Sequence, residues 1–174
     1  EERNKVRTAI VLVAIAVLLS AAPGYCSEEI RIEVTSIGAS SSAAGRGSDE
    51  PKVDARLAGF ADKLTSLFAY TRYSFLGRMQ SQTAFGEPSR IAIPGRFTLV
   101  VEPQRFEGDE RHRIEMLVTL TRDIPRQPAE DGRPPKDPEV LLRTRIRLEN
   151  GGTVLLGGPE IEGGVLILAL SAKG

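Results

Sequence analysis

Residues 140–174 read VLLRTRIRLENGGTVLLGGPEIEGGVLILALSAKG, and the patterning of this stretch decides the fold. Val140, Leu142, Thr144, Ile146 and Leu148 fall on one side of the chain; Leu141, Arg143, Arg145, Arg147 and Glu149 fall on the other. A period of two is the mark of a half-buried strand. Asn150-Gly151 tolerates positive φ, which predicts a tight hairpin turn into a short strand at 153–156. Gly157-Gly158-Pro159 is expected to end that strand, because proline donates nothing to a ladder. Gly163-Gly164 then opens a last strand at 165–172. That run is apolar on both faces, so it predicts a central strand covered from both sides.

The same alternation recurs upstream. Residues 30–37 (IRIEVTSI) predict a first strand. Residues 38–47 are small and polar and predict a linker or loop. Residues 51–69 carry Val53, Leu57, Phe60, Leu64, Leu67 and Phe68 at helical spacing. They predict one amphipathic helix, capped by Ser48 or Asp49, with Pro51 in its first turn. From Thr71 the strand pattern returns. Tyr73, Phe75, Met79 and Phe85 are expected on one face, with Gly77 at a bulge or bend. Gly86-Glu87-Pro88 and Pro94-Gly95 are turns around a short strand at 89–93. Phe97, Leu99 and Val101 then alternate with Arg96, Thr98, Val100 and Glu102. In 111–122, His112, Ile114, Met116, Val118 and Leu120 face inward. Residues 123–139 hold five prolines and few apolar residues, so they predict an exposed loop joining 111–122 to 140–149 as an antiparallel pair. The expectation is about eight strands and one helix: a mainly β domain, an antiparallel sandwich or curved sheet with the helix packed on it.

The 174 residues suffice for one domain with a core. Lys and Arg number 23 and Asp and Glu 23, so no net charge draws the chain to nucleic acid. Trp is absent and aromatic residues make up 5%, which argues against stacking platforms for single strands or sugars. At the N-terminus, Arg3, Lys5 and Arg7 precede an apolar run at 9–19 and a small-residue segment at 20–26. This is the layout of a secretory signal peptide at 1–24, with residues 25–174 as the mature domain. The apolar run is short for a membrane-spanning helix; an uncleaved anchor, the one expected membrane contact, is the alternative. The expected location is periplasmic or secreted. Loss of 1–24 leaves 20 basic and 21 acidic residues, still near neutrality. Cys26 is the single cysteine, so no internal disulfide forms.

Chemistry is constrained by inventory. One histidine, His112, cannot supply a Ser-His-Asp triad or a multi-histidine metal site alone, and a structural role suits it better. Carboxylates are numerous, but those at Glu107, Asp109 and Glu110 sit in a polar turn where solvated charge is the default. The glycine pairs lack the Lys-Ser/Thr ending of a phosphate loop. The arginines form a pattern. Arg143, Arg145 and Arg147 share one face of one strand, and Arg111 and Arg113 reach the same face if their strand is its neighbour. Five guanidinium groups so placed can hold phosphates or carboxylates of an anionic partner. The other reading is a solvated face with cross-strand pairing to Glu115 and Glu149, which the neutral net charge favours.

The helix segment PKVDARLAGFADKLTSLFAYTRYSFL and the tail RLENGGTVLLGGP…GGVLILALSA resemble an uncharacterised family of exported bacterial proteins, which implies export and a bacterial source. Residues 144–158 are also similar to a strand, glycine turn and Thr-Val-apolar-Gly-Gly segment of the secretin family, the outer-membrane channels of secretion systems. That similarity implies an envelope partner and carries over no site residues. Together these readings predict an exported, non-catalytic binding or accessory module of the cell envelope, without cofactor or metal. Its expected contact is an envelope protein or anionic surface, met by the arginine face or the proline-rich loop. A carboxylate-based periplasmic hydrolase and an accessory component of a secretion system are the alternatives.

Overall fold

The strands run from β1 (Glu29–Ser40) and β2 (Lys52–Val53) through a 3-10 segment (Ala55–Phe60) and α1 (Ala61–Leu67) to β3 (Arg72–Ala84), β4 (Ser89–Ile93), β5 (Phe97–Gln104), β6 (Arg113–Arg122), β7 (Glu139–Glu149), β8 (Thr153–Ile161) and β9 (Gly164–Lys173). The computed structural model describes residues 28–41, 50–104, 113–123 and 137–174. The predicted signal segment, Cys26, Arg111, His112, the carboxylates at 107, 109 and 110 and most of the proline-rich loop lie outside them. Among the described residues no helix is long and apolar enough to cross a membrane.

Two sheets form, in the orders β2-β3-β1-β9-β8 and β4-β5-β6-β7. Every pairing is antiparallel except the short parallel one between β2 and β3. Strands β3 to β9 therefore follow one another around the body, and β1 closes the circuit between β3 and β9. The circuit lacks a ladder at two corners, β3/β4 and β7/β8.

The main core lies between the sheets. Ile30, Ile32 and Val34 of β1 and Leu166, Leu168 and Leu170 of β9 meet Leu99, Val101, Met116, Val118 and Leu120 of the smaller sheet. All eleven are fully buried. As β9 predicts from its apolar run, its other face is covered too. Ile167 and Ala169 join Ile37, Ala39 and Tyr73 beneath Leu57 and Leu64 of the helical segment. Alternation within β1 sorts the two cores: Ile30, Ile32 and Val34 point inward, and Ile37 and Ala39 point to the helix.

Three expectations need correction. First, residues 140–158 do not form a paired hairpin. β7 belongs to the smaller sheet and β8 to the larger, so Asn150–Gly152 carries the chain around a corner. The turn is tied to the end of β9. Gly151 N donates to Ala172 O at 2.8 Å, and the Asn150 amide exchanges two hydrogen bonds with the Gly174 backbone. Nor does Gly157-Gly158-Pro159 end β8, which runs on through a bulge between Gly157 and Glu160. Proline is tolerated because β8 is an edge strand, with one side free of a ladder.

Second, the helix is shorter than 51–69. Lys52 and Val53 pair with Arg72 and Tyr73, and Asp54 N donates to Tyr73 O at 2.9 Å. The cap is Asp54, whose Oδ1 accepts from Arg56 N at 3.0 Å, and Leu67 is 65% exposed rather than buried. The parallel ladder outweighs helical spacing in those first residues.

Third, Tyr73, Phe75, Met79 and Phe85 do not share a face. Gly77 pairs with Ser36 and Phe75 with Ile37, so Leu76 is an extra residue in β3. This bulge turns Tyr73 and Phe75 toward the helix and leaves Met79 against the inter-sheet core.

Candidate functional site

The outer faces of the two sheets differ. Part of the larger sheet's outer face lies under the helical segment; its remainder carries Glu33, which accepts from Gln80 at 2.7 Å and pairs with Arg78 at 3.5 Å. No described element covers the outer face of the smaller sheet.

Alternation puts the arginines on that uncovered face. Across the β6–β7 ladder, Arg143 stands opposite Thr119, Arg145 opposite Leu117, Arg147 opposite Glu115 and Glu149 opposite Arg113. Four of the five expected arginines are thus brought together; Arg111 lies outside the described residues. At the centre, Glu115 is held by two of them. Arg147 Nε donates to Glu115 Oε2 at 2.9 Å, and Arg145 Nε stands 3.3 Å from Oε1. The Glu115 side chain is 11% exposed, while those of Arg145 and Arg147 are each 61% exposed.

This geometry has an electrostatic consequence. Two cations share one anion, so the triad carries one positive charge in excess. The Arg145 guanidinium has five N–H donors, more than a shared carboxylate can accept. The ion pairs with exposed arginines stabilise the fold by about 1 kcal/mol or less. Their main effect is to hold the two guanidinium stems in place. Arg143 forms no ion pair among the described residues and adds a further positive charge. On β5, two strands from β7, Gln104 binds Glu102 at 3.4 Å. The cross-strand pairing expected at Glu115 is present.

The helical side offers less. Arg56 forms a two-nitrogen contact with Asp54, at 3.0 and 2.7 Å, and its guanidinium stacks 4.4 Å from the Phe75 ring centroid. The Arg56 hydrogen bonds hold the Asp54 carboxyl well below the usual carboxylate range. That carboxylate is committed to capping. Among the described residues no three His, Cys, Asp or Glu side chains gather where a metal ion could sit.

The sequence did not reveal the corner at β7/β8, which makes β7 an edge. The one available signal is the change from strict alternation in β7 to a continuous apolar run at the start of β8. β8 contributes Val154 and Leu156 to one core and Leu155 to the other, which a surface hairpin would not need.

No family model and no curated protein matches the sequence. The resemblance to an exported family therefore rests on the quoted residues alone. Among solved structures, the chain is similar to the T2SS secretin XcpQ from Pseudomonas aeruginosa, determined by cryo-EM. The identity is 10% and the TM-score 0.27, over 83% of this chain and 56% of that one. The chain thus spans little more than half the length of that structure, and a likeness at this level carries no argument.

Proposed function

We propose that this chain is an exported, non-catalytic binding module of the bacterial cell envelope, which meets an anionic partner through Arg113, Arg143, Arg145 and Arg147. The observation that supports the reading is the Arg145–Glu115–Arg147 triad, which fixes two guanidinium stems on a sheet face that no described element covers. A face meant only for solvent has no need of a nearly buried carboxylate that fixes two guanidinium stems. Preorganised arginines lose less side-chain freedom when they bind. Export is supported by the layout of residues 1–24.

The test uses residues 28–174 and two opposed variants. Arg143→Glu/Arg145→Glu should abolish capture of envelope partners and retention on a phosphate-bearing resin. Glu115→Gln removes the internal counter-charge and should raise that retention. Both effects should weaken with added salt, because exposed charges are screened beyond about 10 Å at 0.1 M. Unchanged retention in the arginine variant would remove this face as the contact, and a reporter fused behind Gly174 that stayed cytosolic would remove the export reading.

A further inference from the structure

We propose that the edge of β7 is a strand-addition site for an extended partner segment with acidic side chains at alternate positions. This inference rests on the arginine-face reading above and names its ligand chemistry.

β7 ends the smaller sheet and β8 ends the larger, and no ladder joins them among the described residues. Each strand therefore has one backbone side with no ladder among the described residues. The two edges are not equivalent. β8 carries Pro159 and a bulge between Gly157 and Glu160, both of which spoil an edge for pairing. β7 has no proline, and its ladder is irregular only beside Thr121 and Val140. From Leu142 to Leu148 the pairing with β6 is regular, so the opposite side presents a template about 23 Å long.

Side chains along that template give it a preference. Arg143, Arg145 and Arg147 recur at every second residue, about 7 Å apart, on the outer side. On the inner side, Leu142 and Ile146 pack on the core yet stay only partly buried. Val154, Leu156 and Ile161 of β8 are in the same condition along the corner. Val140, at the start of β7, is 58% exposed. The corner thus leaves apolar surface that the core does not cover. An added strand has the same period of two. Its outward side chains would lie about 5 Å from the arginine positions, and its inward ones would cover Leu142 and Ile146. The sequence recognised is therefore acidic and apolar in alternation. Glu115 fixes Arg145 and Arg147 from the β6 side, so their approach to a second carboxylate needs little reordering. Charged side chains on an edge also serve to prevent pairing, and the two roles separate by experiment.

The probes are three labelled eight-residue peptides: one alternating Glu and Val, an isomer of it with the four Glu in a block, and one alternating Lys and Val. Binding to residues 28–174 is read by fluorescence anisotropy, and β7 amide exchange is followed in the same samples. The alternating Glu peptide should bind at least tenfold more tightly than its block isomer and slow exchange in 142–148. Arg143→Glu/Arg145→Glu, checked for an unchanged circular dichroism spectrum, should lose at least tenfold and turn the preference to the Lys peptide. Equal binding of the two Glu isomers, with unprotected β7 amides, would overturn strand addition and leave the anionic-contact reading standing. Failure of both Glu peptides and of phosphate resin to bind would overturn both.

Discussion

The Tyr73 hydroxyl donates to the Phe68 carbonyl oxygen at 2.7 Å and reaches that of Leu64 at 3.1 Å, so a phenol on β3 closes the C-terminal end of α1. The last carbonyls of a helix have no partners of their own, and here a strand supplies one. The ring is fully buried beside Leu57 and Leu64, and Tyr70 meets it edge-on at 6.4 Å. Tyr73→Phe should cost about 1–2 kcal/mol and reduce the helical signal more than the β signal in circular dichroism. Burial raises the Tyr73 phenol above its ordinary value of 10.0. The folded state then holds its proton to higher pH than the unfolded chain does. The hydroxyl's contribution is intact below pH 10 and falls as pH rises above it. Denaturant titrations at pH 8 and pH 10.5 check this: the wild type should lose stability between them, and Tyr73→Phe should lose less.

Gly164 and Gly59 make a matched pair of alanine substitutions. A methyl group at Gly164 would collide with the Ala39 carbonyl oxygen and stand 3.1 Å from Ser40 Cβ. The obstacle is the backbone of a neighbouring strand, which cannot move aside. Gly164→Ala should cost about 3 kcal/mol or more by urea unfolding. A methyl at Gly59 meets nothing within 4 Å. Gly59→Ala should be neutral or stabilise by about 0.5 kcal/mol, through the unfolded chain. Equal effects would discard the close approach of β9 to β1.

The β3/β4 corner is bridged by Ser81 and Ser89, whose hydroxyls lie 2.6 Å apart. Ser89 is buried, so removing Ser81 strands its hydroxyl. Each single alanine variant should cost about 1–2 kcal/mol, and the double variant should cost less than the two singles together, with a coupling of about 1 kcal/mol. A strictly additive cycle would show that the pair does not bridge the corner.

Ser36 predicts the opposite sign. Its residue is fully buried, and its Oγ has no hydrogen-bond partner among the described residues. An unpaired buried hydroxyl is unfavourable by about 1–3 kcal/mol. Ser36→Ala should therefore raise the midpoint of thermal unfolding. A loss of more than about 1 kcal/mol in this variant would contradict the packing at the inner side of the β3 bulge.

Eight of the nine strands were legible because each half-buried segment keeps its period of two. The ninth, Lys52–Val53, was hidden because Val53 also fits helical spacing to Leu57, Phe60 and Leu64. Gly77 announced a bulge or bend, but nothing in 72–85 announced that Leu76 would be the extra residue and reverse the facing of every residue before it. Asn150-Gly151 is equally good chemistry for a hairpin and for a corner, and only the distant contact with the end of β9 separates them. For the candidate site, alternation alone placed Arg143, Arg145 and Arg147 together, and pairing with β6 brought Glu115 between two of them. The exposed edge was not legible, because it depends on which sheet the following strand joins.

Placing β1 between β3 and β9 also sets an order of events. An emerging chain can join β1 to β3 early, but the other flank of β1 stays open until the final strand has been made. Such long-range pairing is slow, in the millisecond-to-second range for β proteins. Meanwhile Ile30, Ile32 and Val34 stand beside an unpaired backbone. Refolding from urea should therefore show β1 amides protected in two steps, and a chain cut short before β9 should aggregate through its first strand.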